Sequence, residues 1–155
     1  VDILGKMENS GALIIKMNDI FTLPTIKMIQ LCKALFDNVY IYKPYYVRAT
    51  DSDKYLICMN FEEKTYEMIK KKLEKAVKSM RIKDQYVVDF MADIKISSKL
   101  MTTISYINNV LGGIQHRTKN RIMHYINRKI NVKDFVLDKN CRAMIDDNKL
   151  HIYVK

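Results

Sequence analysis

The sequence predicts an α/β protein: a sheet-forming section over residues 1–62, then a mostly helical, basic extension over residues 63–155. Three observations predict this. Short apolar runs at 12–15, 39–42 and 55–59 are separated by a single helical stretch. After Phe61 the apolar residues recur at three and four instead. The charge also changes: residues 1–61 hold seven Lys/Arg against six Asp/Glu, whereas residues 62–155 hold twenty against eleven.

The elements follow in order. Residues 1–8 read as the end of a helix, closed by the turn Glu8-Asn9-Ser10-Gly11. Ala12-Leu13-Ile14-Ile15 is a continuous apolar run, the pattern of a strand buried on both faces of a parallel sheet. Thr22 or Thr25 beside Pro24 marks a helix start, and Ile26, Ile29, Leu31, Cys32, Leu35 and Phe36 keep a helical period. Val39-Tyr40-Ile41-Tyr42 is a second strand, stopped by Pro44. Tyr45 to Lys54 is polar and turn-rich, and Tyr55-Leu56-Ile57-Cys58-Met59 is a third strand. Beyond it, Tyr66, Ile69, Leu73, Ala76, Val77 and Met80 form an amphipathic helix. A helix is expected over 84–94, and another through Ile104, Ile107 and Leu111, broken at Gly112-Gly113. A further helix covers about 116–130, and the alternating Leu150 to Val154 predicts a last strand.

Composition narrows the function classes. At 155 residues and 48% apolar content the chain can build one core. No apolar run approaches the roughly 20 residues of a membrane span. The opening Val1-Asp2-Ile3-Leu4-Gly5-Lys6-Met7, without an initiator Met, reads as mid-helix and suggests a piece of a longer protein. Three widely spaced cysteines, Cys32, Cys58 and Cys141, without CxxC spacing, argue against a disulfide framework and a zinc site. A reducing, cytoplasmic setting fits. The net charge of +10 suits a polyanion such as RNA; solubility, or a Lys- and Ile-rich genome, would account for it as well. His116, His124 and His151 show no ligand spacing, and the ten Met read as core filler.

The stretch from Gly11 to Phe61 carries the chemistry. It contains Gly11-Ala12-Leu13-Ile14-Ile15-Lys16, a helix, a strand, and then Lys43-Pro44-Tyr45-Tyr46-Val47-Arg48-Ala49-Thr50-Asp51-Ser52-Asp53-Lys54-Tyr55. This resembles the FtsJ-type (RrmJ-like) RNA ribose 2′-O-methyltransferases, most closely viral cap-methylating members. There a Gly-Gly-apolar-Lys strand precedes a helix and a second strand. A Lys-Pro-x-x-Ser-Arg-x-x-Ser-x-Glu-x-Tyr loop then leads into the final strand. The match covers about fifty positions, without a gap from Lys43 to Tyr55.

The resemblance implies the C-terminal part of a Rossmann-like methyltransferase sheet, with S-adenosylmethionine as methyl donor. Lys16 falls on the family's second catalytic lysine and Asp53 on its glutamate. Arg48 falls on the loop arginine, and Ser52 lies in the equivalent polar turn. Val47 replaces a serine, and Asp53 is one methylene shorter than Glu. The family's first lysine, its aspartate and its Gly-rich cofactor loop belong upstream of the lysine strand, and no GxGxxG occurs in the chain. The cofactor is therefore expected upstream of Val1. The partners would be RNA, in particular capped mRNA, and the upstream half of the same protein or a partner subunit. For a viral member the setting extends to the virion or replication site. The chemistry asks for such residues: a ribose 2′-hydroxyl is a poor nucleophile, and a lysine with a lowered pKa can take its proton. A carboxylate would orient that lysine.

Tyr45 and Tyr46 could stack on a cap guanine or RNA base, or anchor the loop on the sheet. In the helix near 116–130, Arg117, Arg121, His124 and Arg128 share one face, with Ile122, Met123, Ile126 and Ile130 opposite, expected to pack inward. This stripe, and Lys70-Lys71-Lys72 with Lys75 and Lys78, would track phosphates or simply face solvent. Two alternatives to an enzyme stay open. One is a catalytically inactive, methyltransferase-like module for RNA binding or subunit docking; the other is a structural subunit of a larger assembly.

Overall fold

A computed structural model describes residues 2–80, 87–127 and 151–153. After a 3-10 turn at Leu4–Lys6 the chain forms strand β1 (Leu13–Met17), helix α1 (Leu23–Leu35), strands β2 (Phe36–Tyr42) and β3 (Lys54–Phe61), helices α2 (Glu63–Met80) and α3 (Ser98–Asn127), and strand β4 (His151–Tyr153). The protein is mixed α/β.

The sheet has the order β1-β3-β2-β4, and every pairing is antiparallel. Since β1 and β2 both oppose β3, they run in the same direction, joined by α1, with β3 inserted between them. The expected strand buried on both faces of a parallel sheet is corrected here. β1 pairs antiparallel with β3, and burial alternates along it, with Ile14 64% exposed. Only one face of β1 meets the core, so its apolar run reflects a partly uncovered face.

Side-chain alternation sorts the sheet into two faces. Met17, Val39, Ile41, Leu56 and Cys58 are buried on the helix-covered face. Lys16, Tyr55, Ile57, Tyr40 and Tyr42 lie on the other. A single core cluster joins the covered face to Ile26, Ile29 and Leu35 of α1, Tyr66 and Leu73 of α2, and Leu100, Ile104, Ile107 and Leu111 of α3. Phe61 sits at its centre, 5.3 Å from Phe36 and 5.8 Å from Tyr66 between ring centroids. Each such buried ring contributes about 1.5–3 kcal/mol. Cys32 and Cys58 are both buried free thiols in contact, and the hydrogen bond with Cys32, together with burial, pushes the Cys58 thiol up, so it stays protonated. Cys141 lies outside the described residues.

Local chemistry sets the boundaries. Thr22, extended at φ −83°, precedes α1 with Pro in its first turn. α1 passes straight into β2 at Phe36, whose N–H still bonds the Cys32 carbonyl. Ser10, at φ 67°, lets the turn before β1 pair with the end of β3, its N–H bonding the Phe61 carbonyl at 2.9 Å.

Two helical expectations fail. Of the helix expected over 84–94, residues 84–86 lie outside the described residues, and residues 87–94 form irregular chain held against the helices. Buried Lys27 of α1 pairs with Asp89 at 2.8 Å, and its ammonium also donates to the Met91 carbonyl at 3.3 Å, while Met91 takes φ 50°. Satisfying a buried cation outweighs the helical preference of this short apolar segment. The second is the break at Gly112-Gly113, which is absent: α3 runs through both glycines. Its inward packing ends near Leu111 and Ile114. Met123 and Ile126, expected to pack inward, are 52% and 62% exposed. Residues 128–130, with Arg128 and Ile130, lie outside the described residues.

Candidate functional site

Lys16 lies on the uncovered face of β1, opposite Tyr55 of β3. Asp53 precedes β3, at the end of the loop leaving β2. The two meet, with Lys16 Nζ 2.7 Å from Asp53 Oδ2. Alternation along β1 aims Lys16 away from the core, and the loop carries Asp53 back over the same end of the sheet. Tyr55 and Tyr42 continue the row across the strands.

The loop is built from two successive turns. The Val47 N–H bonds the Pro44 carbonyl at 3.1 Å, and the Asp51 N–H bonds the Arg48 carbonyl at 3.0 Å. Pro44 is buried and anchors the first turn; Tyr45, Tyr46 and Arg48 stand exposed around it, Tyr46 at 82%. Tyr45 and Tyr46 are thus presented to solvent rather than packed as anchors. Arg48 makes no ion pair with Asp53 among the described residues. Ser52 lies half-buried beside Asp53, its carbonyl accepting from Lys54 Nζ at 2.7 Å.

Two functional-looking lysines were not singled out by sequence. Lys43 Nζ donates to the carbonyls of Asp51 at 2.7 Å and Asp53 at 3.1 Å. Lys54 Nζ donates to the carbonyls of Ser52 and Asn18. Desolvation by burial holds both below the ordinary lysine value, Lys54 partly also through the neighbouring Lys43 charge. The signal was available for Lys54, which shares inward register with Leu56 and Cys58, so a strand reading places a cation on the buried face.

The electrostatics of Lys16 differ from the expectation. A base at neutral pH needs a lowered pKa; here the hydrogen bond from Lys16 to Asp53, and the Asp53 charge, raise it. Burial is too slight to compete, since the Lys16 side chain is 56% exposed and Asp53 29%. The arrangement holds an oriented ammonium at the sheet edge.

The basic stripe is partly described. Arg117 is exposed and Arg121 half-buried on α3, and His124 lies edge-on to Tyr125 at 6.3 Å. On α2, Lys70 pairs with Glu67 at 2.9 Å and Lys72 with Asp93 at 3.1 Å. A cavity of about 500 Å³ lies between α2 and residues 89–93, lined by Lys72, Lys75, Ser79, Asp89, Phe90 and Asp93 among others. It shares no residue with the Lys16–Asp53 site. No Gly-rich loop among the described residues adjoins Lys16, and the nearest glycine in sequence, Gly11, has its Cβ position closed by the Glu8 carbonyl at 2.9 Å. Among the described residues no group of three His, Cys, Asp or Glu could hold a metal, and no helix is long and apolar enough to cross a membrane. The chain matches no family model and no curated protein.

Proposed function

We propose that this chain contributes the lysine-bearing half of the catalytic centre of an S-adenosylmethionine-dependent RNA ribose 2′-O-methyltransferase acting on capped mRNA. The observation that carries the reading is the 2.7 Å contact between Lys16 and Asp53. These are the two positions that align with the family's lysine and glutamate, and they come from separate elements to one end of the sheet. The order strand, helix, strand, loop, strand agrees as well.

In this reading Lys16 faces the ribose 2′-hydroxyl and Asp53 fixes the direction of its side chain. Exposed Arg48 contacts the RNA backbone, Ser52 shapes the turn beside it, and Tyr45 and Tyr46 offer stacking faces to cap or base. Lys16 must shed its own proton before it can accept one from the substrate. Docked RNA would remove water, and a second ammonium from the upstream half or a partner subunit would oppose its charge; both lower the lysine. S-adenosylmethionine, when held by that upstream half, supplies the methyl group, and the residues described here orient the acceptor.

The test is methyl transfer to capped RNA by the longer protein that includes the upstream half. K16A and D53A should each lower the rate, K16A by on the order of 10²- to 10⁴-fold. Unchanged rates in both variants would overturn the reading. A second reading, an inactive methyltransferase-like module that binds RNA or docks a subunit, is favoured by one specific observation. Asp53 keeps exposed Lys16 charged, which suits a phosphate contact better than proton abstraction. Wild-type protein that binds capped RNA through Lys16 yet transfers no methyl group would decide for the module.

A further inference from the structure

The loop between β2 and β3 has a lysine at each end, and neither reaches a carboxylate at ion-pair distance among the described residues. Their ammonium groups grip main chain instead. Lys43 Nζ donates to the carbonyls of Asp51 at 2.7 Å and Asp53 at 3.1 Å; Lys54 Nζ donates to the Ser52 carbonyl at 2.7 Å and to that of Asn18. Three successive carbonyls, 51 to 53, are thus each held by a cation. A surface lysine has no reason to fold inward this way, because desolvating a charge costs free energy unless its donors are satisfied. Lys54 is 3% exposed and Lys43 half-buried.

The placement of the grip matters. Asn18 directly follows the strand that carries Lys16, so Lys54 ties the Asp53 loop to the Lys16 strand from beneath the sheet. Asn108 Nδ2 of α3 donates to the Ile20 carbonyl at 3.2 Å and steadies the same segment from the helix side. The Asp53 side chain leaves a main chain whose carbonyl is itself bound by Lys43. Short Asp, unlike Glu, has little reach to compensate for a misplaced backbone.

We propose that Lys43 and Lys54 are positioning residues that set where the Asp53 carboxylate meets Lys16, by holding the main chain of residues 51–53. The functional meaning of this clamp rests on the reading of Lys16 and Asp53 as the working pair. The clamp itself can be read without any activity. The Lys16 side chain is followed by NMR through its titration in wild type, D53N, K43M and K54M. D53N should bring the Lys16 midpoint down to the ordinary lysine value, because Asp53 is what raises it. K43M and K54M should each produce most of that decrease while resonances of Tyr66 and Leu73 in the core stay in place. K43R, which keeps a cation, should restore it.

A lysine with only a structural role would lower the melting temperature and leave the Lys16 titration unmoved. That result in folded K43M overturns the proposal, and because Lys43 is only half-buried, K43M decides the matter if K54M does not fold. Methyl transfer by the longer protein separates the two claims. A Lys16 titration that moves as expected in a protein with no methyl transfer keeps the clamp and removes the catalytic reading. Wild-type turnover with an unmoved Lys16 titration in K43M does the reverse.

Discussion

Lys54 places an ammonium on the face of β3 that otherwise carries Leu56 and Cys58, where burial works against its charge. Its folded pKa lies below the ordinary lysine value of 10.5. Between those two values the unfolded chain binds a proton that the folded chain has released, so stability rises with pH through that window. K54M lacks this contribution. The difference in unfolding free energy, wild type minus K54M, should therefore grow as urea titrations are stepped up toward pH 10.5, and a difference that falls would contradict the burial. Lys16 behaves oppositely: held above 10.5 by Asp53, its contribution is complete below 10.5 and lost only at higher pH. At the scale of single residues, the meeting of Lys16 with Asp53 was legible, because a short polar loop between two strands must bring its end back beside the neighbouring strand; the exposure of Tyr45 and Tyr46 was not, because aromatic side chains in such a loop more often pack on the sheet. Nor was Lys43, since lysine in a loop ordinarily marks solvent, and Lys54 shows itself only through the register of β3.

Among the elements, α1, α2 and the three main strands follow from periodicity and turn residues to within a few positions. The segment 87–94 does not. Its Val and Met invite a helix, and the deciding partner, Lys27, lies 62 residues away from Asp89 along the chain. No local pattern encodes a buried cation seeking a carboxylate. α3 errs in the other direction, because glycine weakens a helix without ending one when the hydrogen-bond ladder continues on both sides. Neither Gly112 nor Gly113 has positive φ, and a Cβ at Gly112 meets nothing within 4 Å, while one at Gly113 meets only the Arg117 side chain at 3.9 Å. G112A and G113A should each stabilise the protein by roughly 0.4–1 kcal/mol, as measured by chemical unfolding. Destabilisation by either would mean that α3 bends there.

Over the whole molecule, the mixed α/β class was foreseeable from the alternation of strand and helix signals, whereas the antiparallel pairing was not. The run at 12–15 is apolar enough for either sheet type, and only the insertion of β3 between β1 and β2 decides. The positive excess gathers after Phe61 along the sequence. With Arg117 exposed and Arg121 half-buried one turn further along α3, R117Q and R121Q should each reduce the slope of log affinity against log salt by roughly 0.7 for single-stranded RNA. Fluorescence anisotropy with a capped oligoribonucleotide across a salt series measures this, and unchanged slopes would remove the stripe as a phosphate contact. The position of β1 has one more consequence. Among the described residues it hydrogen-bonds to β3 alone, leaving a border of backbone donors and acceptors flanked by outward Ile14. Such a border invites strands from other molecules, and a charged side chain is what discourages them. Lys16 is that charge, so removing it also strips a safeguard against self-association: K16A should aggregate more readily than K16R.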